Sequence, residues 1–266
     1  MLSKKSYSKK LIWSIDIDIT RLPLDESYTE LFNRLFLDKR FSILQNRIKK
    51  YLENNNPELL YPKPNYLFKA FCMTPLDKIK VVFIGQDPYF NNEKYNDKYN
   101  DKNDDKIVPQ AYGLSFSVPL DMEIPSSLQN IYKNMLKFGH IKKLPNHGCL
   151  DFWAYQGCLM LNTALTVIDG QKNCHSGEWK WFTDKIIEEI SNKLNNVVFV
   201  LWGGEAYKKI ELIDLDKHNV IISSHPSGLS CYKPFQSYPA FADCDCFGQI
   251  NKYLKENNKE KIIWDL

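Results

Sequence analysis

Four short runs of almost purely apolar, β-type residues constrain this chain more than any other feature. They are VVFI at 81–84, CLML at 158–161, VVFVL at 197–201 and VII at 220–222. A strand that is apolar at every position is buried on both faces, and such strands belong to parallel sheets covered by helices on each side. Helical periodicity lies between them: Leu128, Ile131, Met135 and Leu136 recur at one spacing, and Phe182, Ile186, Ile187 and Ile190 at another. Residues 29–53 read as one or two amphipathic helices outside this core, and 247–254 as a closing helix. Strands alternating with helices give an α/β class, with a central four-stranded parallel sheet between helical layers, α/β/α.

The chain has 266 residues, enough for one large domain, and its 44% apolar and 25% charged residues are ordinary for a globular protein. No apolar run is long enough to span a bilayer, so no membrane partner is expected. A net charge of +3 does not announce a nucleic-acid binder; such a site has to come from local arrangement. Seven cysteines without regular spacing make no disulfide framework, and reduced thiols point to an intracellular protein of nucleus, mitochondrion or cytoplasm. Cys244 and Cys246 lack a second pair, and the five histidines lack ligand-like spacing, so no metal and no cofactor are implied.

Residues 1–20 are expected to form a disordered tail ahead of a single domain over 21–266. Within it, 91–106 reads NNEKYNDKYNDKNDDK, a polar, low-complexity stretch that cannot bury enough surface to offset its ordering entropy. A surface-loop insertion is therefore expected at 91–108.

Chemistry collects where the strands end. The first run leads into Gly85, Gln86, Asp87, Pro88 and Tyr89; the proline holds Asp87 in an extended conformation. The second leads into Asn162 and Thr163, the third into Trp202, Gly203 and Gly204, and the fourth into Ser223, Ser224, His225, Pro226 and Ser227. In a parallel sheet these ends share one edge and line one crevice. There is no G-x-S-x-G elbow and no phosphate-cradling glycine loop. What remains is a carboxylate, a histidine, an amide and aromatics. A carboxylate favours an oxocarbenium-like centre and holds a water beside it. A histidine opposite can donate to a leaving group that departs as an anion. An amide offers a donor and an acceptor side by side, matching a pyrimidine edge, and Phe116 can stack on a flat ring.

With these residues the chain resembles a family-1 uracil-DNA glycosylase. The resemblance rests on GQDPY at 85–89, QAYGLSFSV at 110–118, PSSLQNIYK at 125–133, HGCLDFWAYQGCLMLNTALTV at 147–167 and HSGEWKWFTD at 175–184. VLWGG at 200–204, HPSGLSCY at 225–232 and the closing residues 262–266 extend it. It implies a glycosylase-like three-layer fold and a monomeric DNA repair enzyme that flips uracil out of DNA. Asp87 and His225 would be catalytic, Asp87 positioning water and His225 stabilising the departing uracil. Gln86, Tyr89, Phe116 and Asn162 would bind the base, with Tyr89 excluding a thymine methyl group. Ser127, Gly204 and Ser227 would meet phosphates, and Leu229 would wedge into the base stack. Ser127 also stands where it can cap the following helix. Implied partners are uracil-containing DNA, DNA-mimicking protein inhibitors and replication proteins.

The chain departs from the family pattern at four places. Phe90 stands where histidine is usual, the 91–108 insertion replaces a short connection, Gly204 replaces a serine, and Gly228 replaces a proline. The last two trim DNA contacts, which keeps a second reading open: a catalytically weak DNA-binding or polymerase-accessory member. A thymine mismatch glycosylase is disfavoured by Tyr89.

Overall fold

The computed structural model describes residues 11–94 and 107–266. In chain order the strands are β1 (Leu60–Tyr61), β2 (Val81–Gly85), β3 (Asn92–Lys94), β4 (Ile107–Pro109), β5 (Cys158–Asn162), β6 (Val167–Ile168), β7 (Val198–Trp202) and β8 (Asn219–Ser223). The α-helices are α1 (Thr29–Phe36), α2 (Lys39–Asn54), α3 (Lys69–Met73), α4 (Ser126–Lys137), α5 (Asp151–Tyr155), α6 (Ser176–Lys193), α7 (Gly203–Tyr207) and α8 (Cys246–Glu256).

Each of the four apolar runs becomes a strand of one parallel sheet, in the order β5-β2-β7-β8. Every residue of β2, β5 and β7 is buried, whereas β8 at the edge alternates between half-buried and buried. Helices cover both faces, as the apolar patterning requires. Phe32 of α1 meets Phe36, Phe68, Phe71 and Phe182 edge-on at ring separations of 5.1–5.6 Å. A second aromatic group joins Phe83 of β2 to Trp153, Trp202, Phe247 and Trp264. Edge-to-face contacts of this kind add to plain area burial and hold the helices at fixed orientation on the sheet. The 29–53 segment is two helices, not one, because Asp38 caps the second by accepting from the Arg40 N–H.

The strand register does the work of assembling the site. Gly85 at the end of β2 lies opposite Asn162 at the end of β5, and Trp202 of β7 lies opposite Ser223 of β8. The segments that leave these four ends therefore emerge at one edge of the sheet.

Two sequence expectations change here. The tail was placed at residues 1–20, but within 11–20 two residues anchor the chain: Trp13 and Ile19 are buried, and the Trp13 indole N–H donates to the Pro62 carbonyl at 2.8 Å, while most of the others are exposed. Of the apolar residues here, Trp13 and Ile19 join the core and Ile17 packs against it, whereas Leu11, Ile12 and Ile15 stay exposed. The 91–108 insertion is not wholly irregular either. Its base is an antiparallel ladder pairing Asn92 with Pro109, Glu93 with Val108 and Lys94 with Ile107. A ladder satisfies backbone groups whatever the side chains are, so a polar sequence does not preclude it. The expectations for residues 1–10 and 95–106 lie outside the described residues.

Candidate active site

Two backbone crossings lock the turn after β2 to the turn after β5. The Gly85 carbonyl accepts from the Thr163 N–H at 3.0 Å, and the Gln86 carbonyl accepts from the Ala164 N–H and the Thr163 hydroxyl, each at 2.9 Å. Residue 85 has to be glycine: a Cβ there would lie 2.3 Å from Asn162 Oδ1 and 2.8 Å from Ser115 Cβ. Its absence lets the Asn162 amide lie across the strand end, where it is 9% exposed.

Asp87 follows, and its two oxygens have different surroundings. Oδ2 accepts from the Asn173 backbone N–H at 2.5 Å, while Oδ1 is buried with no hydrogen-bond partner among the described residues. A buried carboxylate oxygen costs free energy until a donor meets it. Burial raises the Asp87 carboxyl above its ordinary range; the Asn173 N–H and the Lys172 charge work against that rise. Asn173 is held in turn. Its backbone is left-handed at φ 62°, and its side-chain carbonyl accepts from the Gln86 amide at 2.9 Å.

His225 is reached from β8. Its Nδ1 accepts the Ser227 backbone N–H at 3.1 Å and lies 2.8 Å from the Ser227 hydroxyl. A backbone N–H can only donate, so Nδ1 is the unprotonated nitrogen and the neutral ring carries its proton on Nε2. Burial, with the positive charge of Lys172, pushes the imidazole down to about 4. The ring is thus neutral at pH 7 and presents an N–H donor. Its position depends on Gly203, which has φ 81°; a Cβ there would come within 2.9 Å of the His225 Cβ.

Phe116 closes the remaining side with a left-handed backbone, φ 63°. Its ring lies 6.0 Å from the His225 ring and edge-on to Trp202 at 5.4 Å. The Tyr89 hydroxyl donates to the Phe116 carbonyl at 3.3 Å, and burial raises the phenol well above its usual range.

Together these residues line a cavity of about 220 Å³. Of the residues singled out in the sequence, Gln86, Asp87, Tyr89, Phe116, Asn162 and His225 line it, and so do Ser127 and Ser227. Ser127 sits in the first turn of α4 behind the N-cap Pro125, so its hydroxyl does not cap that helix. Gly204 and Leu229 do not line the cavity. Gly204 is exposed in α7, and Leu229 is 77% exposed in the short 3₁₀ turn Gly228–Tyr232. Phe90 lines the cavity and packs beside Tyr61, Ala111 and Val167, contributing no polar group. Among the described residues no group of three His, Cys, Asp or Glu side chains is placed to hold a metal.

Sequence reasoning placed Thr163 and Gly203 at the strand ends without giving them a role, and it missed Asn173, which positions the site, and Lys172, which lines it. Each acts through a partner remote in sequence, which the residue type alone does not reveal. Asn173 lies 86 positions from its carboxylate partner. Only its place just ahead of the 175–184 segment hinted at a role.

Comparison with known proteins agrees with this geometry. The Uracil DNA glycosylase superfamily model matches residues 73–255. A uracil-DNA glycosylase of Francisella tularensis subsp. novicida is 44% identical over 215 residues, covering 80% of this chain and 88% of that protein. The enzyme of Saimiriine herpesvirus 2 is 42% identical over 234 residues, covering 87% and 84%. A probable uracil-DNA glycosylase of Acanthamoeba polyphaga mimivirus is 38% identical over 85% of this chain, which spans 60% of that longer protein. The crystal structure of mimivirus uracil-DNA glycosylase superposes with a TM-score of 0.85 at 35% identity, covering 95% of this chain and 91% of that one. A variant of the mimivirus enzyme in complex with UGI superposes at 0.87 and 34% identity, covering 99% and 98%. With the fold, the cavity and these matches in agreement, the chain belongs to the family-1 branch of the uracil-DNA glycosylase superfamily, a family of base-excision hydrolases.

Proposed function

We propose that this protein excises uracil from DNA by hydrolysing the N-glycosidic bond, releasing free uracil and leaving an abasic site. The observation that carries this reading is one cavity holding both an unpartnered buried carboxylate oxygen, Asp87 Oδ1, and a neutral imidazole that donates from Nε2. As the bond between C1′ and N1 stretches, the sugar becomes cationic and the base anionic. Asp87 stabilises the first charge and orients the water that adds to C1′; the N–H of His225 stabilises the second at a uracil oxygen. The water's hydroxyl ends on C1′ and its proton leaves to solvent or to the uracil anion. A neutral histidine suits this task, since it donates a hydrogen bond without first having to gain a proton.

Base recognition follows from the cavity walls. The Asn162 amide reads the pyrimidine edge, Phe116 stacks on the ring, the Gln86 backbone amide meets a carbonyl oxygen, and Tyr89 blocks a substituent at ring carbon 5. The Ser227 hydroxyl lies 2.8 Å from His225 Nδ1, and because the Ser227 backbone N–H also donates to that nitrogen, the hydroxyl can turn to a phosphate without leaving Nδ1 unpartnered. Ser127, whose hydroxyl caps nothing, and the exposed backbone of Gly204 serve neighbouring phosphates. Leu229 supplies an apolar plug that offsets part of the unstacking cost, a few kcal/mol. The reading extends to protein partners that mimic DNA, in line with the mimivirus variant solved in complex with UGI.

A polymerase-accessory or purely DNA-binding role gains no support from any feature of the site, because such a role has no use for a desolvated carboxylate with an open coordination position. A single-turnover assay on a uracil-containing oligonucleotide decides the matter. The native protein is expected to release uracil, and Asp87→Asn to lower the rate by at least about 10²-fold. Tight DNA binding with no release by the native protein would overturn the proposal.

A further inference from the structure

Lys172 is the only lysine or arginine that lines the cavity among the described residues. Its side chain is exposed, and it has neither an ion-pair nor a hydrogen-bond partner among those residues. Its backbone, in contrast, is pinned on both sides. Gln171 bridges to Ile168, the Gly170 N–H donates to the Phe90 carbonyl at 2.8 Å, and the Asn173 N–H is bound to Asp87. The root of this lysine is therefore fixed relative to the catalytic carboxylate, while its ammonium remains free. An ordinary surface lysine on a mobile loop lacks the fixed root.

We propose that Lys172 is a phosphate-binding residue of this site, its ammonium pairing at the cavity rim with a backbone phosphate of the nucleotide that enters. The inference rests on the uracil-excision reading given above. The substrate narrows the choice of anion. Uracil is neutral until its bond breaks, so the only formal charges that arrive with the ground-state substrate are phosphodiesters. An ammonium on a flexible stem suits a phosphate as a point charge with three donors. Phe90 adds no charge to this rim, and Ser127 and Ser227 on the same cavity offer hydroxyls only. Because the phosphate keeps its charge from ground state to transition state, the contact binds both equally. That contact acts on KM; the same charge also reaches Asp87 and His225, so a change in kcat reports on those groups and not on the phosphate.

The test combines Lys172→Gln and Lys172→Arg with steady-state uracil release across about 50 to 200 mM salt. In the Gln variant KM at the low-salt end is expected to rise about three- to tenfold. The slope of log KM against log salt should fall by about 0.7–0.9, one phosphate contact, and Lys172→Arg should restore it. Thermal melting of both variants shows that the fold is kept. The same slope is read without turnover by comparing DNA binding of Asp87→Asn with that of Asp87→Asn/Lys172→Gln. An unchanged salt slope, or a loss confined to kcat, overturns the inference while leaving uracil excision intact. A native protein that releases no uracil overturns the excision reading itself, whatever the slope.

Discussion

The state of His225 gives the sharpest prediction. Its imidazole titrates at about 4 in place of the ordinary 6.5, because the ring is withdrawn from water and faces the charge of Lys172. At pH 6 a histidine of ordinary pKa is only about one-quarter neutral, whereas one at about 4 is about 99% neutral. Activity should therefore stay flat from pH 8 down through pH 6 and fall only as the medium approaches 5 and below. Asp87 acts in the same direction: its ionised form is the useful one, and burial raises its titration above the ordinary carboxylate range. For stability the two groups have opposite signs. The unfolded imidazole binds its proton near 6.5 and the folded one only near 4. The native state thus loses stability as pH falls through that window, by about 3 kcal/mol at its acid end. Asp87, raised on folding, returns part of this as it protonates. The assay is single-turnover uracil release against pH, paired with ¹⁵N NMR of the histidine ring. An unprotonated Nδ1 and a protonated Nε2 are expected at pH 6. An acid limb centred near 6.5, with the ring protonating at that same midpoint, would refute both the neutral-histidine assignment and the mechanism built on it.

Three substitutions probe the walls of the cavity. Gly85→Ala places a methyl group on Asn162 Oδ1 and Ser115 Cβ; displacing that amide should cost about 1–3 kcal/mol of stability and erode discrimination of uracil from cytosine, read by melting and by release from paired oligonucleotides. Tyr89→Ala removes the ring that guards carbon 5 and its bond to the Phe116 carbonyl. It should gain measurable thymine release at about 2–3 kcal/mol of stability, and a variant still blind to thymine would show that the gate lies elsewhere. Phe90→His restores a polar group to the rim and should raise turnover severalfold, while the loss of packing beside Tyr61, Ala111 and Val167 lowers the melting temperature. No gain in turnover would mean that position 90 does not limit uracil release.

Much of the architecture was legible in the chain itself. Strands buried on both faces must be apolar at every position, so the four strands of the sheet announce themselves in the amino-acid order, and parallel pairing follows from the helices between them. The residues that bear chemistry at the strand ends are likewise visible, because a sheet of this kind brings its strand ends to one edge. Local sequence misjudged residues 11–20 and the base of the 91–108 insertion. In both places the deciding contacts are distant or backbone-only: the Trp13 indole reaching Pro62, and a ladder indifferent to side-chain polarity.

The electrical state of the site belongs to the tertiary structure alone. Asp87 and His225 are ordinary residue types whose protonation behaviour depends on burial and on neighbours remote in sequence. The Asn173 N–H comes from 86 positions away, the Lys172 charge acts on both groups, and Gly203 leaves the space that His225 needs. A sequence specifies which groups are present. Only the folded chain sets their solvation and their partners, and those energies decide which oxygen waits for water and which nitrogen carries the proton.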